Sequence, residues 1–109
     1  MKKRLLATLL VGSAVFAETQ VGTITGFIPY SSEDEKVLIF KLEGNVEGGC
    51  NTTGRFAIGD SSPRYEATLS AVLASYHAQT KVRVRYLPTC EYWANSSDIS
   101  YICVGNINC

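Results

Sequence analysis

Four cysteines set the terms on which this 109-residue chain can fold, because Cys50, Cys90, Cys103 and Cys109 form an even set in a short sequence that opens like an exported protein. Such a set is the composition of a disulfide framework. A domain of about 90 residues buries only about 60–65% of the surface that its unfolded chain exposes, so its core alone leaves it marginally stable. Bridges contributing about 2–4 kcal/mol each are then comparable with the whole net stability. Three pairings are open. The preferred one joins Cys90 to Cys103, clamping the last hairpin, and Cys50 to Cys109, tying the tail to the connection that follows the second strand.

The export reading comes from the first residues. Lys2, Lys3 and Arg4 precede an apolar run over 5–11, and Val15-Phe16-Ala17 closes the segment. This order reads as a signal peptide over residues 1–17 with cleavage after Ala17. The apolar run is far short of the roughly 20 residues that cross a bilayer, so no membrane span is expected and the product is secreted, to the periplasm or beyond the cell. Of the ten basic and ten acidic side chains, losing Lys2, Lys3 and Arg4 leaves seven against ten, a formal charge of −3. Nucleic acid is therefore not an expected partner. No repeat or linker interrupts 18–109, which reads as one domain.

Within it, β-formers from Gln20 to Phe27 are interrupted by Gly22 and Gly26, giving a strand with a bend or bulge that Pro29 is expected to end. A polar turn over 31–35 leads to the apolar strand 36–43, and the two strands form a hairpin. A third strand over 54–58 places Phe56 and Ile58 on one face. Ser62 as N-cap and Pro63 at the first helical position start a helix whose stripe is Tyr65, Leu69, Val72, Leu73 and Tyr76. The run KVRVRYL over 81–87 alternates, with Val82, Val84 and Tyr86 inward and Arg83 and Arg85 outward. Residues 98–104 make a last strand. The fold class that follows is all-β with one helix, a five-stranded OB-type barrel in the order β-β-β-α-β-β.

The means for catalysis are sparse, and no catalytic residue, metal site or cofactor is expected. His77 is the only histidine, and it falls in the last helical turn, where a cation suits the helix C-terminus. The cysteines lack CxxC spacing, and Gly48-Gly49 lacks the Lys-Ser/Thr of a phosphate loop. Glu33, Asp34 and Glu35 sit in a turn whose carboxylates diverge into water. Tyr92, Trp93 and Asn95 combine flat rings with an amide in one loop, which suits a sugar's C–H face and hydroxyls; the alternative is that Trp93 caps the barrel. Asn51-Thr52-Thr53 and Asn95-Ser96-Ser97 match the N-glycosylation pattern and are expected to stay unmodified. Arg83 and Arg85 are placed to meet a sialic acid carboxylate or a neighbouring subunit's acids, the alternative being that they are plain solvated arginines.

Several segments together carry a resemblance: Phe40-Lys41-Leu42-Glu43-Gly44, Cys50 near the third strand, the helix followed by Val82-Arg83-Val84-Arg85-Tyr86, and Val104-Gly105 ahead of Cys109. Over most of residues 20–109 the chain resembles the receptor-binding B subunits of bacterial toxins with one A and five B chains, of the subtilase cytotoxin and typhoid toxin kind. That resemblance implies a glycan-binding homopentamer, with a toxin A subunit as a possible further partner. It also implies a sugar site using a hydroxyl on the first strand, for which Thr23 and Thr25 are the nearest matches, although Gly22 falls close to the family's serine. Lys41 stands where those subunits have a cysteine, and Cys90 and Cys103 are additional, so their disulfide map does not carry over. The competing expectation is a secreted structural or inhibitory protein that binds another protein and no sugar.

Overall fold

The computed structural model describes residues 16–44 and 46–109. The expected leader over 1–17 therefore lies almost wholly outside the described residues. Five strands and one helix follow in the order β1 (Glu18–Ser31), β2 (Lys36–Leu42), β3 (Arg55–Gly59), α1 (Tyr65–Ala78), β4 (Lys81–Tyr86) and β5 (Ser97–Val104), as the sequence reading has it. The sheet closes on itself in the order β1-β2-β3-β5-β4, with every neighbouring pair antiparallel except the short parallel contact of β3 with β5.

Closure depends on β1 serving two partners. Its residues 18–23 pair with β4, and from Ile24 onward it pairs with β2. The exchange occurs at a bulge between Ile24 and Gly26, where Thr25 is the extra residue. Gly26 therefore does mark an irregularity, whereas Gly22 stands opposite Val82 in the regular ladder with β4. Pro29 does not end the strand: it stands opposite Leu38 within the β1–β2 ladder. Past the bulge β1 has left β4 and forms an edge, where a missing N–H removes no ladder bond.

The interior is filled from all five strands and the helix. Ile24, Leu38, Phe40, Leu42, Phe56, Ile58, Val82, Val84 and Ile99 are buried together with Tyr65 and Val72 of α1. Phe56 sits at the centre, its ring 5.7 Å from Phe40 and 5.2 Å from Tyr86. The inward assignments of Phe56, Ile58, Val82 and Val84 hold.

The helix is turned relative to the expected stripe. Its buried residues are Tyr65, Thr68, Val72 and Ser75, whereas Leu73 and Tyr76 are 38% and 36% exposed. The small hydroxyl residues Thr68 and Ser75 let α1 lie close on β1 and β5, and this contact rotates Leu73 outward. Tyr76 meets the edge of Phe27 at 5.4 Å. The helix also starts later than expected, at Tyr65, because Asp60 to Arg64 form turns: Arg64 and not Ser62 is the N-cap, no side chain caps the helix, and Ser62 Oγ accepts the Arg64 N–H at 3.1 Å within the preceding turn. Gln79, with φ 54°, closes the other end in the left-handed conformation.

Two disulfides are present, as expected, but the pairing differs: Cys50 bonds Cys90, and Cys103 bonds Cys109. The reason lies in the hairpin. Cys103 stands opposite Arg83 near the start of β4, while Cys90 lies seven residues further along, beyond the strand's other end. No bridge can span that length, because Cα atoms of a disulfide lie within about 7 Å. The tail instead turns back at Gly105, and the Arg83 guanidinium donates to the carbonyls of Gly105 and Ile107, both at 2.6 Å, so that Cys109 reaches Cys103.

Candidate functional site

The register across β1, β2 and β3 defines an outer face. Gly26, Lys41 and Arg55 form one row, Ile28, Ile39 and Ala57 the next outward row, and Tyr30, Val37 and Gly59 the third. Alternating rows, with Phe27, Phe40 and Phe56, turn inward. On this outer face an open groove of about 240 Å³ is lined by Thr25, Gly26, Ile28, Ile39, Lys41 and Arg55 along with Phe27 and Phe40. One end is polar, with the Thr25 hydroxyl and two cations side by side across the ladder. Like charges opposite one another in a sheet repel, and the row that holds them contains no carboxylate.

At the other end of the face lies the loop between β4 and β5. Val37, Ile39 and Ala57 form a second buried cluster outside the main core, with Tyr92 and Trp93 packed over it. Trp93 meets Tyr30 edge-on at 4.9 Å. Ile39 thus belongs both to the cluster under Trp93 and to the groove wall. Tyr92 lies so close over Gly59 that a Cβ there would come within 2.7 Å of its ring. Any side chain at that position would have to displace the Tyr92 ring.

A buried carboxylate holds this loop. Asp98, only 5% exposed, accepts the Thr89 hydroxyl at 2.6 Å, the Tyr92 N–H at 3.0 Å and the Glu91 N–H at 2.8 Å. These charge-assisted bonds fix the backbone from which Tyr92 and Trp93 project. The base of the loop is tied by the two Asn-x-Ser/Thr segments, which bind one another. Asn51, 2% exposed, donates through Nδ2 to Ser97 Oγ at 2.8 Å and to the Arg55 carbonyl at 3.0 Å, while Thr53 Oγ1 donates to the Asn95 carbonyl at 2.8 Å. Both segments are structural here, and together they secure the short parallel junction of β3 with β5.

The expected site residues are dispersed by this geometry. Thr25 enters the groove, and its Oγ1 donates to the Lys41 carbonyl at 3.3 Å. Trp93 and Tyr92 stand at the far end of the same face. Trp93 covers the outside of β2 and β3, so it does not cap the main core. Asn95 is engaged through its backbone by Thr53, and its Oδ1 accepts the Ser96 hydroxyl at 3.1 Å. Thr23 and Arg85 also face outward but lie on the β1–β4 side of the closed sheet, opposite Lys81 and Thr19 respectively; Arg85 donates to Thr19 Oγ1 at 3.2 Å.

No protein-family model, curated protein or solved structure matches this chain. A second cavity of about 240 Å³, between Glu18, Glu47, Tyr86, Pro88 and Ser97, gathers none of the expected residues. The Tyr86 hydroxyl there is pushed above its ordinary pKa, first by burial and then by the Glu18 carboxylate. Among the described residues no group of three or more His, Cys, Asp or Glu side chains could hold a metal, and no helix is long and apolar enough to cross a membrane.

Lys41, Arg55 and Asp98 are the residues that sequence reasoning missed. A lysine between Phe40 and Leu42 does signal an outward position in an otherwise buried strand. Its juxtaposition with Arg55 depends on the β2–β3 register, which short motifs do not reveal.

Proposed function

We propose that this chain is a secreted glycan-binding module of the toxin B-subunit kind, built on an OB-type barrel and attaching to cell-surface sugars. The observation that carries the reading is the groove, where an apolar wall of Ile28 and Ile39 meets the Thr25 hydroxyl and the paired cations Lys41 and Arg55. A sugar offers the matching surfaces, a C–H face and directed hydroxyls. The two cations favour an acidic sugar such as a sialic acid, taking over the role that Arg83 and Arg85 were expected to fill. Tyr30 and Trp93 extend the platform for further sugar units.

Export through a leader over 1–17 accords with the two disulfides, which persist in oxidising compartments. Strand β1 begins at Glu18, immediately after the proposed cleavage point. The closed order β1-β2-β3-β5-β4, with α1 between β3 and β4, supports the OB-type assignment. A shallow sugar site binds weakly alone, and assembly as a pentamer raises avidity about 10²- to 10⁴-fold. Exposed Leu73 and Tyr76, beside small Ala67, Ala74 and Ala78 on α1, supply a surface on which copies can pack. A toxin A subunit is the further partner that the resemblance implies. The same exposed helix surface would serve the second reading, a secreted structural or inhibitory protein whose partner is another protein.

A glycan array separates the two. The oxidised protein is expected to bind acidic glycans, and Lys41→Gln/Arg55→Gln is expected to lower that binding about 10- to 100-fold, the effect of losing one or two charge-assisted hydrogen bonds. Native mass spectrometry is expected to show five copies with or without the substitutions. A blank array with a monomeric protein would leave the protein-binding reading in place.

A further inference from the structure

Elsewhere around the closed sheet, the outer surface of β4 and the first half of β1 carries a different charge pattern. Val82 and Val84 are buried, so Lys81, Arg83 and Arg85 project outward in line from β4. Successive cations on one face of a strand are about 6.8 Å apart, so the three span about 14 Å. Their ladder neighbours on β1 are Thr23, Val21 and Thr19, and on β5 the partners of Arg83 and Arg85 are Cys103 and Tyr101. No carboxylate stands opposite any of them. Arg83 is held by two tail carbonyls and Arg85 by the Thr19 hydroxyl, neither of which neutralises the charge.

We infer that this face binds a linear sulfated polysaccharide, lying along β4 and separate from the groove on β1, β2 and β3. The charge pattern selects the class of partner. Three cations in a row along one strand match a chain that repeats its anions, and do not enclose a single small acid. The hydroxyls of Thr19, Thr23 and Tyr101 flank the row at positions suited to sugar hydroxyls. The two disulfides accord with an oxidising compartment, where a polysaccharide is a more accessible polyanion than a nucleic acid. The inference does not depend on the groove being a sugar site.

Heparin is the probe, titrated calorimetrically into the oxidised protein at 50 and 200 mM salt. Three cations releasing counterions at about 0.7 per charge predict roughly 20-fold weaker binding at the higher salt. Lys81→Gln/Arg85→Gln, which leaves Arg83 on the tail, is expected to bind more weakly at 50 mM and to show only about a threefold salt effect. Arg85→Lys, which keeps the charge, is expected to restore most of the affinity of an Arg85→Gln single variant. Lys41→Gln/Arg55→Gln is expected to keep the full salt dependence. Absence of heparin binding at 50 mM would overturn the inference, as would a β4 double variant of unchanged thermal midpoint that binds like the parent. Loss of binding in the groove variant would relocate the site to the groove. Equal or tighter binding of double-stranded DNA or of phosphatidylserine vesicles would overturn the assignment to sulfated polysaccharide.

Discussion

Replacing Cys50 and Cys90 together by alanine is expected to destabilise the oxidised protein by about 4 kcal/mol, against about 2 kcal/mol for replacing Cys103 and Cys109. The asymmetry follows from loop length. The first bridge spans 40 residues and the second only six, and the unfolded chain gains more freedom when the longer loop is released. The first bridge also ties the segment before β3 to the loop that carries Tyr92 and Trp93. Denaturant titration of the two double variants measures the difference. Equal losses, or a larger loss from Cys103 and Cys109, would contradict both the pairing and its role.

Asp98→Ala is expected to cost about 3–5 kcal/mol, because it removes a buried charged acceptor and strands the Glu91 and Tyr92 N–H groups and the Thr89 hydroxyl that it satisfies. It should also release Trp93 from the Val37, Ile39 and Ala57 cluster. Trp93 is the only tryptophan, so its emission reports this directly. A red shift under conditions where the variant is still folded is the expected result. Asp98→Asn keeps the size and one acceptor oxygen but brings amide protons against backbone N–H groups, and an intermediate loss is expected. Wild-type stability and emission in Asp98→Ala would show that the loop is held by its packing alone.

The fold was largely legible because the residues that set it are periodic. Alternation over 81–86 placed β4 and its inward valines correctly, and Gly26 of β1 marked the bulge. The misreadings have a common physical source, which is that tertiary partners decide them. Pro29 stays in β1 because that half of the strand has left β4. The helix stripe rotates because Thr68 and Ser75 fit the sheet more closely than Leu73 and Tyr76. The disulfide pairing changes because the tail doubles back over Arg83, whose guanidinium finds the carbonyls of Gly105 and Ile107, 22 and 24 residues further along the chain.

The candidate site was legible only in pieces. Thr25, Tyr92 and Trp93 do lie on one face, and they do so through the bulge at Thr25 and the hold of Asp98 on the loop. Thr23, which the resemblance implies, and Arg85, outward on its strand by alternation, lie elsewhere because residues 18–23 of β1 pair with β4 and not with β2. The cation pair Lys41 and Arg55 exists only in the register of β2 against β3, 14 residues apart in the chain.

The groove is tested most directly by titrating the isotope-labelled, oxidised protein with 3′-sialyllactose and following backbone amide and indole resonances. Saturable shifts concentrated at Thr25, Gly26, Lys41 and Arg55, with the Trp93 indole moving less, are the expected result. Spectra unchanged at millimolar sugar, or shifts confined to residues outside this face, would contradict a sugar site in the groove.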